Sequence, residues 1–254
     1  MNKTISLVCC VAGALIASGC QRESTQNTPS TTTTTPAGQS TAAPAAAAAS
    51  RDNALVRFVH AIPAGAAVDL SAGDNRFFEN VAYKTVTPYR ELDGQRYTFS
   101  VRPAGMAQAS ALASNSEGLD DGSYYTVFAV PGDGEAAMLR VVEDDFSAPG
   151  AGKARVRVVH ASSDAGEVDV IATGRADELF DGVDFQSATE YDEIDPVSGS
   201  LEIRAGGEST PMLTVPNVRI EAGKVYTVVV VGKVRATPKL EAFVIEDRIG
   251  MPSR

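Results

Sequence analysis

Two stretches of this chain are near copies: Ala54-Leu55-Val56-Arg57-Phe58-Val59-His60-Ala61 and Ala154-Arg155-Val156-Arg157-Val158-Val159-His160-Ala161. The likeness continues beyond them. Val68-Asp69-Leu70 matches Val168-Asp169-Val170, and Tyr89 matches Tyr191. Gly122 to Val127 matches Gly223 to Val228, and Glu143-Asp144 matches Glu246-Asp247. The offset drifts only from 100 to 103 residues, so insertions are confined to turns. A duplication of this kind constrains the fold more than composition does, because whatever one copy becomes the other must become too.

Each copy reads as strands. Val56, Phe58 and His60 alternate with Arg57 and Val59, and Tyr97, Phe99 and Val101 alternate with Thr98, Ser100 and Arg102. A period of two in β-branched and aromatic residues marks half-buried strands. Tyr226 to Val231 is continuously apolar and fits a central strand covered on both faces. Gly- and Pro-rich turns such as Pro63-Ala64-Gly65 and Asp121-Gly122 fall between these runs. Roughly seven short strands in each copy predict an all-β fold of two tandem antiparallel β-sandwiches. The one helical turn expected is Ala176 to Phe180. The boundaries read as repeat 1 over 53–146, a linker over 147–153, repeat 2 over 154–249 and a tail over 250–254.

The N-terminus has a different character. Lys3 precedes an apolar run from Ile5 to Ile16, too short for a membrane span of about 20 residues. The run ends in Ala17-Ser18-Gly19-Cys20, which resembles the bacterial lipobox. That resemblance implies a signal peptide over 1–19 and a lipidated Cys20, and Gln21 after the cysteine implies outer-membrane sorting in a Gram-negative envelope. Residues 20–52 form a Thr/Ala/Pro-rich segment with almost no charge and no apolar periodicity, expected to be a disordered tether. As a coil of roughly 30 residues it would reach about 30 Å.

Charge and cysteine usage narrow the partners. The formal net charge is −10, and phosphate backbones repel such a surface, so nucleic acid is excluded as a partner. Cys9, Cys10 and Cys20 are the only cysteines, which leaves the repeats without a disulfide, thiolate nucleophile or cysteine metal site. The bilayer is expected to be met through acylated Cys20, each buried CH2 of lipid contributing about 0.8 kcal/mol.

The paired motifs, Val-Arg-x-Val-His-Ala, then Val-Asp-Val, then a Tyr-Thr-Val strand after Gly, resemble the bacterial domain of unknown function numbered 4397. The resemblance covers nearly all of residues 54–248. It implies immunoglobulin- or transthyretin-like sandwiches, frequently in tandem, in secreted and surface proteins. It brings no activity with it.

The repeat signature comprises Arg57, His60 and Asp69 in one copy and Arg157, His160 and Asp169 in the other. A buried imidazole needs a hydrogen-bond partner, and Asp69 or Asp169 across the first hairpin is the candidate. Alternation that points Val68 and Leu70 inward, however, points Asp69 outward. Ser162 and Ser163 follow His160, yet no Gly-x-Ser-x-Gly elbow accompanies them, and a triad is defined by geometry rather than by proximity in sequence. The acidic loops offer oxygen ligands of the kind calcium takes, with Asp181, Asp184, Asp192 and Asp195 as weak candidates. No cofactor is implied. The expectation is a tethered envelope lipoprotein with a non-catalytic structural or binding role. The alternatives are a calcium-assisted module for a glycan or envelope protein and, third, an enzyme acting on envelope polymers.

Overall fold

The alternation read from the sequence resolves into sixteen strands in the computed structural model, which describes residues 52–248 apart from 64–65, 133, 135 and 176–177. The first half contains β1 (Asn53–His60), β2 (Val68–Ala72), β3 (Asn75–Val81), β4 (Arg90–Asp93), β5 (Arg96–Pro103), β6 (Ala113–Gly118), β7 (Tyr124–Pro131) and β8 (Ala137–Glu143). The second contains β9 (Ala154–Ala161), β10 (Val168–Ala172), β11 (Phe180–Val183), β12 (Asp192–Ile194), β13 (Val197–Ala205), β14 (Pro211–Ile220), β15 (Val225–Val231) and β16 (Glu241–Asp247). The described residues contain no helix. Phe180, assigned from sequence to a helical turn, opens β11 and pairs with Val170; residues 176–177 of that turn lie outside the described residues.

Each half makes two four-stranded sheets, ordered β4-β1-β7-β8 and β3-β2-β5-β6, then β12-β9-β15-β16 and β11-β10-β13-β14. The second pair reproduces the first strand for strand. Val56 lies beside Tyr125 as Val156 lies beside Tyr226, and Leu70 lies beside Val101 as Val170 lies beside Ile203. There are eight strands per half rather than seven. One pairing in each half departs from the antiparallel expectation: β1 runs parallel to β7, and β9 parallel to β15. Strands joined by a hairpin must be antiparallel, but five strands separate β1 from β7, and the chain returns to the sheet in its original direction.

The burial pattern shows how the halves are assembled. β1, β7, β9 and β15 are buried on both faces. One face of β1 and β7 (Val56, Phe58, Tyr125, Val127) joins Leu70, Phe99 and Val101 in the first sandwich core. The corresponding face of β9 and β15 (Val156, Val158, Val228, Val230) builds the second core with Val170 and Ile203. The opposite faces meet each other. Val59, Ala61, Phe128 and Val130 pack with Val159, Ala161, Val229 and Val231 in a third, shared cluster. The two inner sheets therefore stack back to back, and the continuous apolar run of β15 is the sequence trace of a strand with no solvent face.

Candidate functional site

Alternation along β1 and β9 sends Arg57 and Arg157 to the shared face, where both are buried. A buried guanidinium is tolerated only when its charge and donors are matched. Arg57 Nε donates to Thr126 Oγ1 at 2.7 Å, and its Nη2 donates to Asp247 Oδ1 at 2.5 Å, in the other half. Arg157 mirrors this: Nε donates to Thr227 Oγ1 at 2.9 Å, and Nη2 donates to Asp144 of the first half. Each threonine hydroxyl then donates 2.6 Å to an aspartate, Thr126 to Asp144 Oδ2 and Thr227 to Asp247 Oδ2. The six residues close a ring of hydrogen bonds with two cations and two anions.

Tyrosines complete the ring. Tyr89 donates to Asp144 Oδ2 at 2.7 Å and Tyr191 to Asp247 Oδ2 at 3.0 Å. Their ring centroids lie 4.9 Å from the Arg57 guanidinium carbon and 4.6 Å from that of Arg157. Burial opposes the charge on Arg57, but Asp144 and Asp247 outweigh it and hold its pKa above the ordinary arginine value. Burial, followed by the Asp144 charge, drives the Tyr89 phenol well above its usual range, and burial does the same to Tyr191. Sequence reasoning singled out the arginines but not their partners. A signal was present: Thr126/Thr227, Asp144/Asp247 and Tyr89/Tyr191 are identical in both copies. Asp144 is only 3% exposed and lies against both arginines.

The histidines point to the other side, into their own sandwiches. His60 Nδ1 accepts from Ile62 N at 3.3 Å, and its Nε2 faces Ala66 O at 3.4 Å. His160 Nδ1 accepts from Ser162 N at 3.3 Å, and its Nε2 faces Gly166 O at 2.7 Å. These contacts select the tautomer protonated at Nε2 and tie down the turn after each opening strand. Burial lowers the pKa of both imidazoles. The partner expected from sequence, Asp69 or Asp169, is not used, because alternation carries those carboxylates to the outer face. Ser162 Oγ is buried and has no hydrogen-bond partner among the described residues, and both ring nitrogens of His160 are occupied by backbone groups.

Asp69 and Asp169 act as clamps on the outer sheets. Asp69 accepts from Asn80 N at 2.8 Å and Gly105 N at 3.0 Å; Asp169 accepts from Gly182 N at 2.9 Å and Gly207 N at 3.0 Å. All four donors have positive φ; the β2–β3 and β10–β11 ladders slip register beside Asn80 and Gly182, while Gly105 and Gly207 lie in the turns after β5 and β13. Each outward carboxylate therefore accepts from one amide beside a bulge and from one amide in a neighbouring turn.

Asp169 has further acidic neighbours. With Glu178 and Asp181 it brings carboxylate oxygens within 4.8 Å of one another. At the offset aligning Val81 with Val183, the first half has Asp69, Arg76 and Glu79 instead. There Arg76 lies 3.9 Å from Asp69 and 3.3 Å from Glu79. Three carboxylates form an oxygen-donor set of the kind hard divalent cations take. Of the four calcium candidates read from sequence, Asp181 joins this trio, while Asp184, Asp192 and Asp195 do not. Asp195 is instead paired with Lys153 Nζ at 2.6 Å. Along the seam between halves, a cavity of about 330 Å³ is lined by Val142, Glu143, Arg157, Thr189, Glu190 and Tyr191. Its arginine is already consumed by the ring. Cys20, the lipidation candidate, lies outside the described residues.

Residues 54–171 match the family model DUF4397, described as a domain of unknown function. The match spans the first sandwich and ends in β10 of the second. No curated protein matches the chain. Among solved structures, the chain is similar to the C-terminal domain of AlgF from P. aeruginosa at 23% identity. That similarity covers 38% of this chain and 99% of the domain, with a TM-score of 0.30. A candidate cell adhesion protein from Bacteroides eggerthii is similar at 9% identity over 79% of this chain and 97% of that one, with a TM-score of 0.19. Likeness at that level carries no information about activity.

Proposed function

We propose that the two halves are tandem copies of the DUF4397 domain, carried by an envelope lipoprotein and serving as a non-catalytic structural or binding module. One observation carries this reading: the polar residues of the repeat signature are spent on the ring or on backbone groups. Arg57, Thr126, Asp144 and their counterparts close the ring between sandwiches. His60, His160, Asp69 and Asp169 are engaged by backbone groups. A duplicated motif used in this way supports a scaffold rather than a reaction centre. The lipobox at Cys20 and the tether after it support display of that scaffold at the outer membrane, with the lipid as the anchor because the mature fold is acidic.

The test is metabolic labelling with a clickable palmitate analogue followed by envelope fractionation. The wild-type chain is expected to take up label and sediment with outer membranes, and Cys20→Ser to lose both. A wild-type chain without label would overturn the lipoprotein reading. A hydrolytic activity on envelope polymers that disappears with His160→Ala in a folded variant would overturn the non-catalytic one.

A further inference from the structure

One cavity sits where the first half surrounds a matched arginine with neighbours that the second half lacks. It has a volume of about 300 Å³, and its lining includes Asp69, Ser71, Asp74, Arg76 and Arg102. It lies on the outer face of the β3-β2-β5-β6 sheet, between the β2–β3 turn and the β5–β6 connection. That connection runs over 104–112, whereas its counterpart between β13 and β14 runs only over 206–210.

Arg102 is the unusual member of the lining. Its Nε donates to Ala109 O at 3.1 Å, and its Nη1 donates to Ser100 Oγ at 2.6 Å. Both acceptors are neutral, and no carboxylate among the described residues lies within 4.0 Å of the guanidinium. The second half shows the alternative. There Arg204 donates to Glu202 Oε2 through Nε at 3.1 Å and Nη2 at 2.5 Å. The ladders place Ser100 beside Ser71 and Glu202 beside Ile171, so the first half exchanges a carboxylate for a hydroxyl and an isoleucine for a serine. These exchanges leave a partly buried cation with an orientation fixed by the longer loop and no negative partner. Arg76, by contrast, is already held by Asp69 and Glu79.

We propose that this cavity binds a small polyhydroxylated carboxylic acid, of the sugar-acid class, through Arg102. The free guanidinium edge pairs with a carboxylate, the group whose geometry it matches best. Asp74 accepts hydrogen bonds from hydroxyls, and the Ser71 hydroxyl both donates and accepts. A volume of about 300 Å³ sits at the lower end of the range for small-molecule sites and suits a single such unit. The proposal rests on the binding half of the functional reading above and is independent of membrane anchorage, so its failure leaves the palmitate experiment unaffected.

The experiment is a titration of the full chain with sodium glucuronate, with glucose as the uncharged control, followed by calorimetry and by amide NMR shifts. Saturable glucuronate binding is expected, with shifts at Ser71, Gly73 and Arg102 and with glucose at least about tenfold weaker. Arg102→Gln should weaken glucuronate binding by about tenfold or more. Ser100→Glu, which recreates the ion pair of the second half, should do the same without touching the arginine. Should either variant fail to fold, Ser71→Ile carries the test, because it installs the residue of the second half. Absence of saturable binding would overturn the proposal. So would equal binding of glucose, or unchanged glucuronate affinity in a folded variant of Arg102 or Ser100.

Discussion

Arg57, on the first strand, donates to Asp247, on the last, over 2.5 Å, although 190 residues separate them in the chain. The bond crosses from one sandwich to the other, and Arg157 returns the exchange through Asp144. Each sandwich thus supplies the anion that the other needs. Breaking the pair from one side should cost more than removing it altogether. Arg57→Leu is expected to lose about 3–5 kcal/mol, because Asp247 then stays buried without its cation. The double variant Arg57→Leu/Asp247→Leu should recover part of that loss. Urea unfolding of the singles and the double, combined as a mutant cycle, measures the coupling; purely additive losses would show the pair to be unimportant.

The aspartate clamps should be independent of the ring and of each other. Asp69→Asn and Asp169→Asn each replace one accepting oxygen with an amide that faces a backbone N–H. A loss of about 1–3 kcal/mol is expected for each, and the double variant should show the sum. Denaturant midpoints check this, with an unchanged m-value as the sign of an intact fold.

Acid should act through the histidines. Burial lowers the folded-state pKa of His60 and His160, so below about pH 6.5 the unfolded chain binds protons that the folded chain refuses. The full stability contribution is present above the ordinary histidine value. It is lost as the pH falls through that value toward the lower folded one. Melting temperatures between pH 8 and pH 5 should fall, and the fall should be shallower in a folded His160→Gln variant. An identical slope would assign the acid response to other groups.

Ser162 is one of two exchanges between the halves that leave a buried hydroxyl unpaired among the described residues: it stands where the first half has Ile62, as Tyr83 stands where the second half has Phe185. Leaving a buried polar atom without a partner costs about 1–3 kcal/mol. Ser162→Ala is therefore expected to raise stability by about 1 kcal/mol, measured as a higher urea midpoint. A clear loss would mean that the hydroxyl has a partner, such as a bound water.

The acidic trio offers a comparable exchange. Glu178→Arg restores the residue that the first half has at position 76, between Asp69 and Glu79. Stability should rise by up to about 1 kcal/mol at low salt, and less at high salt. A fall would show that the three carboxylates are not in mutual repulsion.

Much of the all-β character was legible in the sequence. Alternation is a local property, and the pleat turns it directly into two faces. What alternation does not say is what each face meets. Val59 and Phe128 read as ordinary strand positions, and only the stacking of two inner sheets makes them a third core. Alternation carries the outward aspartates away from the histidines, and only the folded chain brings two amides to each, one beside a bulge and one in the turn after β5 or β13. The arginine of cavity lining was equally silent in sequence, since Arg102 and Arg204 occupy matched positions and differ only in their neighbours.

The sequence by itself therefore determined the strand periodicity, the duplication and the identity of the residues held in common by both copies. Only the tertiary structure decided that Arg57 belongs with Asp247 rather than with Asp144 alone. The physical reason is that a ladder register is written in neighbouring residues, whereas a buried charge is satisfied by whatever the packing of distant strands brings within about 3 Å.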